Sequence, residues 1–411
     1  MEETVSGQRV TRFVGLDIHR SYASVAAVDS NQQVVLTVRR IDYEHFDEWI
    51  RKNLRPTDAV TLESTGNAWY FYDLLTPLVA SVTVANPIQV ALIAKARVKT
   101  DPRDALALAR LLAARMLPSV WVPPTEVREL RALVAHRHRL LKQRTQIRNR
   151  LRAVLIRHNL VAPQAEIFAS AHRAWWDELD LPASEKLRVR HDLSILDSLE
   201  PLVKEVEAEL ARQSNVEPWE EQAAFLLQLP GIGVTSAMQL LAAIGDIDRF
   251  PAPQKLVGYA GLGAGVHSSG QEHYGGQITK QGRKDIRGAM VDIAWVAVAH
   301  HFYWKALFER LADRIGRHKA IVAIARKLLV VVWHVLAERV ADREAVPEQV
   351  AGKFLEWSWK VGRANRKGLT TVAFIRRQLC RVHVGENLTT VSRGTRTLRL
   401  PPPEPVVHAV G

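Results

Sequence analysis

The chain is poor in cysteine and in uninterrupted apolar sequence. It has one cysteine, Cys380, in 411 residues, which excludes an intramolecular disulfide and a cysteine-based zinc cluster and suits a reducing cytoplasm. The most hydrophobic run, AIVAIARKLLVVVWHVLA, is interrupted by Arg326 and Lys327 and is short for a membrane span. The N-terminus also has no apolar signal core. We therefore expect a cytoplasmic protein with no membrane partner.

Acidic residues are scarce relative to basic ones. Lys and Arg number 56 against 43 Asp and Glu, which gives a formal net charge of +13 and indicates a polyanionic partner, nucleic acid before an anionic membrane. The imbalance is greatest between Arg128 and Arg157, where ten basic residues face one acid, Glu129. A solvated helix face is the ordinary explanation of such a run, but this ratio favours nucleic-acid contact. The candidate contact residues are Arg137, Arg144, Arg148 and Arg152.

The order of short β-type runs and helical stretches predicts an α/β domain first. An opening antiparallel meander between Arg12 and Val38 is followed by alternating helices and strands, the pattern of a mixed sheet covered by helices. Apolar residues at heptad spacing then predict two long helices, within 125–159 and 194–210, and a mostly helical C-terminal part follows. The expected domains are 10–118, 124–215 and 222–340, with a partly disordered extension at 341–411.

Two carboxylates stand three residues apart in the stretch KTDPRDALALARLL. Asp101 before a proline is typical of a helix N-cap, and Asp104 then takes the position of a capping-box acid. Capping is the commoner function of such a pair. Alternatively, residues three apart share one helix face and could bind the same metal ion. This second interpretation requires acidic partners elsewhere in the chain.

Two further acids could supply those partners. Asp17 lies inside the strand VGLDIH, where a buried charge needs a partner or a metal, and Glu63 ends the strand in VTLESTGN. Functional groups of open α/β sheets gather at strand ends and nearby helix starts, so these residues can converge with Asp101 and Asp104. Carboxylate oxygens favour Mg²⁺ or Mn²⁺, and two such ions commonly serve phosphodiester chemistry.

Glycine is concentrated in the C-terminal half. LPGIG, with Gly231 and Gly233, resembles the hairpin of helix-hairpin-helix modules that grip a DNA phosphate, although a plain interhelical turn fits five residues equally well. The segment 258–288 contains the stretch HSSG, and a serine in such a segment is usually a turn residue. Glycines also let backbone N–H groups approach a phosphate closely. Basic residues follow within helix reach: Lys280, Arg283, Lys284 and Arg287.

Motifs in both halves of the chain resemble, in the same order, those of bacterial insertion-sequence transposases of the DEDD class. They are VGLDIH, LESTGN, VANP and KTDPRDALALARLL, then LPGIGVTSA, YAGLGAGVHSSG, GGQITKQGRKDIRGAMVDIAW and HKAIVAIARKLLVVVWHVL, and they cover residues 13–336. The resemblance implies a RuvC-like, ribonuclease H-like α/β domain, a long helical linker, and a mostly α C-terminal domain with an essential serine. By position, the four metal-binding acids fall on Asp17, Glu63, Asp101 and Asp104. The serine falls on Ser269, directly before the glycine, with Ser268 as the alternative.

The resemblance further implies a transposase that cuts and rejoins DNA with Mg²⁺-bound carboxylates and a serine nucleophile. Its implied partners are double-stranded DNA at the element ends and target, a structured guide RNA from the element, and further copies of the chain as a dimer or tetramer. It would act at the bacterial nucleoid. The residues alone leave two alternatives open. One is a junction-resolving or hydrolytic nuclease of the same fold without a covalent intermediate, and the other is a non-catalytic nucleic-acid-binding protein.

Overall fold

The computed structural model describes residues 4–5, 8–93, 101–163, 166–269 and 272–403. The chain divides into two compact units, Met1–Pro124 and Thr125–Gly411. The N-terminal unit contains, in chain order, β1 (Thr4–Val5), β2 (Gln8–Arg9), β3 (Arg12–Ile18), β4 (Tyr22–Asp29), β5 (Val34–Asp42), α1 (Phe46–Asn53), β6 (Asp58–Glu63), α2 (Ala68–Leu75), β7 (Ser81–Ala85), α3 (Pro87–Ile93) and α4 (Asp101–Ala113).

A five-stranded mixed sheet forms the centre of the N-terminal unit. Its strand order is β5-β4-β3-β6-β7. The strand β4 is antiparallel to its neighbours β3 and β5, and β6 and β7 are parallel to β3. The strands β3, β4 and β6 are buried almost throughout, because helices cover both faces of the sheet. The predicted meander and mixed α/β domain are confirmed, and the arrangement is compatible with a ribonuclease H-like fold.

The two faces of the sheet pack against different helices. Leu16 and Leu62 join Phe46 of α1 and Phe71 of α2 in the larger apolar core. The opposite face packs on α4, through a smaller core that includes Ala109. Side chains alternate between faces along a strand, so the residues directly after Leu16 and Leu62 belong to the face that α4 covers.

Gly15 sets the distance between β3 and α4. A Cβ atom at this position would lie 2.0 Å from the carbonyl oxygen of Ala105 and 2.7 Å from the amide nitrogen of Ala109. Real Cβ atoms do not approach backbone atoms that closely, so only glycine permits this contact. The first turn of α4 is therefore held close to the end of β3.

The C-terminal unit is mostly helical, as expected. It contains α5 (Thr125–Arg157), α6 (Arg173–Glu178), α7 (Ala183–Gln213), α8 (Trp219–Leu227), α9 (Val234–Ile244), α10 (Pro253–Tyr259), β8 (Ala264–Ser269), β9 (Glu272–Ile278), α11 (Lys284–His300), α12 (Phe302–Ile315), α13 (Arg317–Ala337), α14 (Pro347–Val361), α15 (Thr371–Val382), β10 (Thr390–Arg393) and β11 (Arg396–Arg399). The two long helices predicted from heptad spacing are α5 and α7, which pack on each other.

The apolar run near the end of the matched motifs is the helix α13. It is the one helix among the described residues that is long and apolar enough to cross a membrane, with a mean hydropathy of 2.0 in its most apolar window. Half of that window is buried within the protein, and Ile324 and Leu328 are fully enclosed. Packing against α10, α11 and α12 accounts for its composition, as in the core helix of a helical domain.

The extension at 341–411 is more ordered than expected as far as residue 403. Helices α14 and α15 pack through Trp357 and Phe374, both almost fully buried, and Trp357 Nε1 donates a hydrogen bond to Ser214 Oγ at 2.7 Å. The strands β10 and β11 form an antiparallel hairpin where we expected no structure. The difference arises because buried aromatic residues anchor the basic segment, and a charge count does not register them. Residues 404–411 lie outside the described part.

Candidate metal centre and nucleic-acid surfaces

Three side chains from two elements meet at the carboxyl end of β3. Asp17 is the last residue but one of β3, His19 directly follows the strand, and Asp101 is the first residue of α4. Their ligand atoms all lie within 4.8 Å of one another, close enough to hold one metal ion. We refer to Asp17, His19 and Asp101 as the metal cluster. It brings together two of the four acids predicted from the sequence.

His19 connects the two carboxylates. Its Nε2 atom lies 3.1 Å from Oδ2 of Asp17 and 3.3 Å from Oδ2 of Asp101. Tyr22 donates a hydrogen bond to the same Asp101 oxygen at 2.8 Å and stacks on the His19 ring with centroids 4.4 Å apart. The carboxylate of Asp101 is therefore engaged with residues of the sheet, and helix capping is not its whole function.

The backbone of His19 is fixed from the other side. Tyr43 Oη donates to the His19 carbonyl oxygen at 2.5 Å, and Asn67 Nδ2 donates to it at 3.2 Å. Asn67 belongs to the LESTGN stretch, so this motif contributes a positioning contact as well as Glu63. Sequence reasoning missed His19, Tyr22 and Tyr43. The available signal was the strand period of two, which puts Asp17 and His19 on the same face.

Electrostatics at the metal cluster favours a cation. Burial raises the pKa of Asp17, the charges of Asp101 and Asp104 raise it further, and His19 opposes them. The Asp17 side chain is only 16% exposed. A carboxylate buried among like charges is destabilising unless a positive charge compensates. Two carboxylates and an imidazole are ligands that Mn²⁺ and Mg²⁺ can accept, so the residues present fit a divalent metal.

The other two predicted acids lie nearby without joining the cluster. Asp104 is one turn further along α4 than Asp101, and its charge contributes to the raised pKa of Asp17. Glu63 ends β6, whose residue Leu62 pairs with Leu16 of β3, so Glu63 and Asp17 end neighbouring parallel strands. Among the described residues, Glu63 lies outside the group of ligand atoms within 4.8 Å.

The basic residues predicted on α5 are largely paired with acids on α7. Arg137 pairs with Glu207 at 2.5 Å, and Arg144 and Arg148 both approach Glu200, at 3.5 and 3.1 Å. These ion pairs lie along the contact between the two helices. The free positive charge of α5 is therefore smaller than its own composition indicates, because acids of α7 neutralise part of it. In contrast, the Arg152 guanidinium lies 5.1 Å from the ring centroid of Phe168 and the residue is exposed.

The LPGIG stretch forms the turn between α8 and α9. Gly231 has φ +80°, and a Cβ atom there would lie 2.4 Å from the carbonyl oxygen of Ile293 in α11. Close packing therefore explains this glycine without nucleic acid. Gly233 precedes α9, and its amide donates to Ser236 Oγ at 2.9 Å. The turn joins two helices, as both sequence interpretations required.

The four basic residues after the glycine-rich segment divide into two kinds. Arg283 donates to Asp285 at 3.0 Å, and Arg287 donates to the carbonyl oxygens of Ala260 and Lys280 at 3.3 Å. Both guanidinium groups thus stabilise the local fold. Lys280 and Lys284 are exposed, so they are the members of the set most accessible to a polyanion.

The two candidate serines lie at the end of a strand. The backbone of 264–269 forms β8 and pairs with β9, with Ser268 opposite His273 and Ser269 opposite Glu272. This strand differs from the turn that a serine in a glycine-rich segment predicts. The side chains of 266–277 lie outside the described part of the structure. The choice between Ser268 and Ser269 therefore stays a prediction.

Comparison with known proteins agrees with this arrangement in both units. Residues 14–159 match a transposase family described as DEDD_Tnp_IS110, and residues 223–309 match the "Transposase IS116/IS110/IS902 family". The chain is similar to a Sinorhizobium fredii protein classed by name with transposases (y4qE), with 26% identity over 86% of this chain and 89% of that protein. It is similar to the transposase for insertion sequence element IS1111A of Coxiella burnetii, with 25% identity over 80% of this chain and 90% of that protein. It is also 25% identical to the pilin gene-inverting protein of Moraxella bovis, over 79% of this chain and 96% of that protein.

A mixed α/β unit with an acidic cluster, followed by a helical unit, is the architecture of a DEDD-class DNA recombinase. The chain belongs to the IS110/IS116 family of transposases.

Proposed function

We propose that the chain catalyses DNA cleavage and rejoining for the movement of an insertion sequence, with a divalent metal bound by the N-terminal acids. The observation that carries this proposal is the convergence of Asp17, His19 and Asp101 within 4.8 Å. Asp104 and Glu63 lie beside the cluster and complete the predicted acidic set. Bound there, Mg²⁺ or Mn²⁺ would stabilise the negative charge that develops on a phosphate during strand cleavage.

The residues of the chain supply the remaining chemistry in this proposal. Ser269 Oγ attacks the scissile phosphorus and forms a phosphoserine bond, while the bond to the departing deoxyribose oxygen breaks and that oxygen takes up a proton. A second DNA hydroxyl then attacks the phosphoserine, and the serine regains its proton. The family resemblance and the position of Ser269 next to glycine support this role. The bond energy is conserved for rejoining, which hydrolysis by water would not achieve.

The partners in this proposal are double-stranded DNA at the element ends and target, a structured guide RNA, and other copies of the chain in a dimer or tetramer. The names of the relatives support DNA as substrate, since they refer to an insertion sequence and to gene inversion. The α8–α9 turn with Gly231 and Gly233 would act as a helix-hairpin-helix contact to a phosphate. Lys280, Lys284 and Arg152 would make further backbone contacts.

An excision assay tests this function. The gene with its native flanking DNA would be carried on a plasmid in a heterologous bacterium, and the excision or circle junction would be amplified. We expect junctions from the wild type, none from Glu63→Gln or Asp17→Asn, and loss with one of Ser269→Ala and Ser268→Ala. If junctions persist with both serine variants, covalent serine catalysis is wrong and metal-activated water is the nucleophile. Junctions that persist with both acid variants would remove the metal site from the reaction.

A further inference from the structure

A cavity of about 500 Å³ lies between α12 and α13 in the C-terminal unit. Its lining residues are Tyr303, Trp304, Ala323, Arg326, Lys327, Val330 and Val331, which we call the α12–α13 pocket. The volume falls within the range of pockets that hold nucleotides and other small ligands. None of the pocket residues belongs to the metal cluster or to the serine-bearing strand. The pocket is therefore a separate candidate site.

One residue of the pocket wall carries a hydrogen-bond donor that has no partner. Trp304 is 3% exposed, and its Nε1 atom is among the buried polar atoms of the described residues that make no hydrogen bond. Buried indole N–H groups usually find an acceptor, since an unpaired buried donor is destabilising. That nitrogen has almost no accessible surface, so a ligand in the pocket meets the exposed ring of Tyr303 and not the indole N–H.

The other lining residues give the pocket an aromatic wall and a positive rim. Tyr303 is 37% exposed and meets Trp304 edge to face, with centroids 5.2 Å apart. Val330 and Val331 provide apolar surface. Arg326 and Lys327 are exposed neighbours on α13, and no lining side chain is a carboxylate. The pocket thus combines an exposed aromatic ring, apolar surface and two cations.

We propose that the α12–α13 pocket binds an unpaired nucleobase, with the adjoining phosphates held by Arg326 and Lys327. Every base has a flat face that stacks on an aromatic ring such as that of Tyr303. A purely apolar ligand would leave both cations unused, and a folded duplex would keep its bases out of reach. This inference rests on the proposed action on nucleic acid and adds a site for a base that is outside the duplex.

A fluorescent base analogue tests the proposal on the full-length protein. Two duplexes of one sequence would be compared, one fully paired and one with a single unpaired 2-aminopurine. Wild type should quench the 2-aminopurine and bind the bulged duplex more tightly than the paired one. Tyr303→Leu should abolish quenching and weaken binding to the bulged duplex about tenfold, the loss expected for one stacked base, while Tyr303→Phe should retain both.

Two controls separate the pocket from general charge. The double variant Arg326→Ala/Lys327→Ala should weaken binding to the bulged duplex more than binding to the paired duplex. Arg310→Ala removes an exposed cation from α12 and should weaken binding to both duplexes equally. Equal loss for both duplexes in the double variant would overturn the base pocket in favour of backbone contact. Undiminished quenching by Tyr303→Leu would also overturn the base pocket. If the wild type still bound the paired duplex in that case, the proposed function would stand. A wild type that binds neither duplex would contradict both.

Discussion

The Nε2 atom of His19 lies 3.3 Å from Oδ2 of Asp101, so one imidazole links the end of a strand to the start of a helix. The contact matters because β3 and α4 are far apart in the sequence, and Asp17 alone could not define a metal site. It also places a nitrogen ligand among acids, which widens the choice of ion toward Mn²⁺.

We expect the metal cluster to bind Mn²⁺ with an affinity that depends on each of its three members. Asp17→Asn should abolish the thermal stabilisation that Mn²⁺ gives to the wild type, because it removes a ligand charge. Asn67→Ala, which loosens the His19 backbone, should weaken the metal affinity about 10- to 100-fold, as loss of an outer contact does. Melting temperatures at several Mn²⁺ concentrations would measure both effects. Asp47→Asn, on the exposed surface of α1, is the matched control and should behave as wild type.

Gly15 should tolerate no side chain. Gly15→Ala places a methyl group against the backbone of α4, so we expect a loss of about 3 kcal/mol or more in the free energy of unfolding, at the upper end of overpacking effects. Transposition should fall as well, because α4 carries Asp101 and Asp104. Urea denaturation and the excision assay would measure the two losses. Gly66→Ala adds the same methyl group where nothing lies within 4 Å, and equal behaviour of the two variants would refute the steric explanation.

Glu220 should make the stability of the protein sensitive to acid. The residue is 1% exposed. Its carboxylate forms ion pairs with the side-chain nitrogens of Lys367 at 2.5 Å, Arg381 at 2.9 Å and Arg377 at 3.5 Å. Burial acts to raise the pKa of Glu220, but hydrogen bonds from Lys367 and Arg381 hold it below its ordinary value. Because the pKa is lowered on folding, this stabilisation is present above the pKa of an unfolded glutamate, about 4.3, and is lost as the pH falls through the folded value.

Glu220→Gln tests this dependence. It should lower the free energy of unfolding at pH 7 by about 3 kcal/mol, since it leaves cations around a neutral amide. The difference from wild type should shrink as the pH falls from about 4.3 toward the lower folded pKa of Glu220, and it should vanish below that pKa, where both side chains are uncharged. Urea denaturation at several pH values would show it. A difference that stays constant down to pH 3 would mean that packing, and not charge, carries the effect.

Glu200 should restrain the affinity of the α5 surface for nucleic acid. Glu200→Gln releases Arg144 and Arg148, so we expect tighter binding to non-specific duplex DNA and a steeper dependence on salt. The stability should change by less than about 1 kcal/mol, because the pairs are partly exposed. Anisotropy titrations at several salt concentrations would measure this. Glu205→Gln removes the same charge from an exposed position of α7; if it produced the same increase, net charge alone would be responsible.

The parts of the structure that local pattern determines could be predicted from the sequence. Alternating apolar residues around Val14 and Leu16 specify a buried strand, and heptads such as Leu140 and Ile147 specify long packed helices. The mixed sheet and the helical second half followed from these signals. The convergence of Asp17 with Asp101 was predicted on the same basis, because strand ends and helix starts meet at one edge of such a sheet.

Features that depend on contacts between distant residues could not be predicted in this way. In the sequence, His19 is an ordinary residue that follows a strand, and only the fold brings Asp101 next to it. The α5 arginines looked free because their partners, including Glu200, lie on another helix. The order of the C-terminal extension depends on Trp357, whose indole reaches Ser214.

The metal cluster can form only after much of the N-terminal unit has been synthesised. Asp17 emerges early from the ribosome, but its site requires the parallel pairing of β3 with β6 and then the docking of α4. These are contacts between distant parts of the chain, which form late relative to local helices. A nascent chain that ends before Asp101 therefore lacks the helix that carries the third member of the metal cluster. Truncated products that end before α4 therefore contain the early strands but no complete metal cluster.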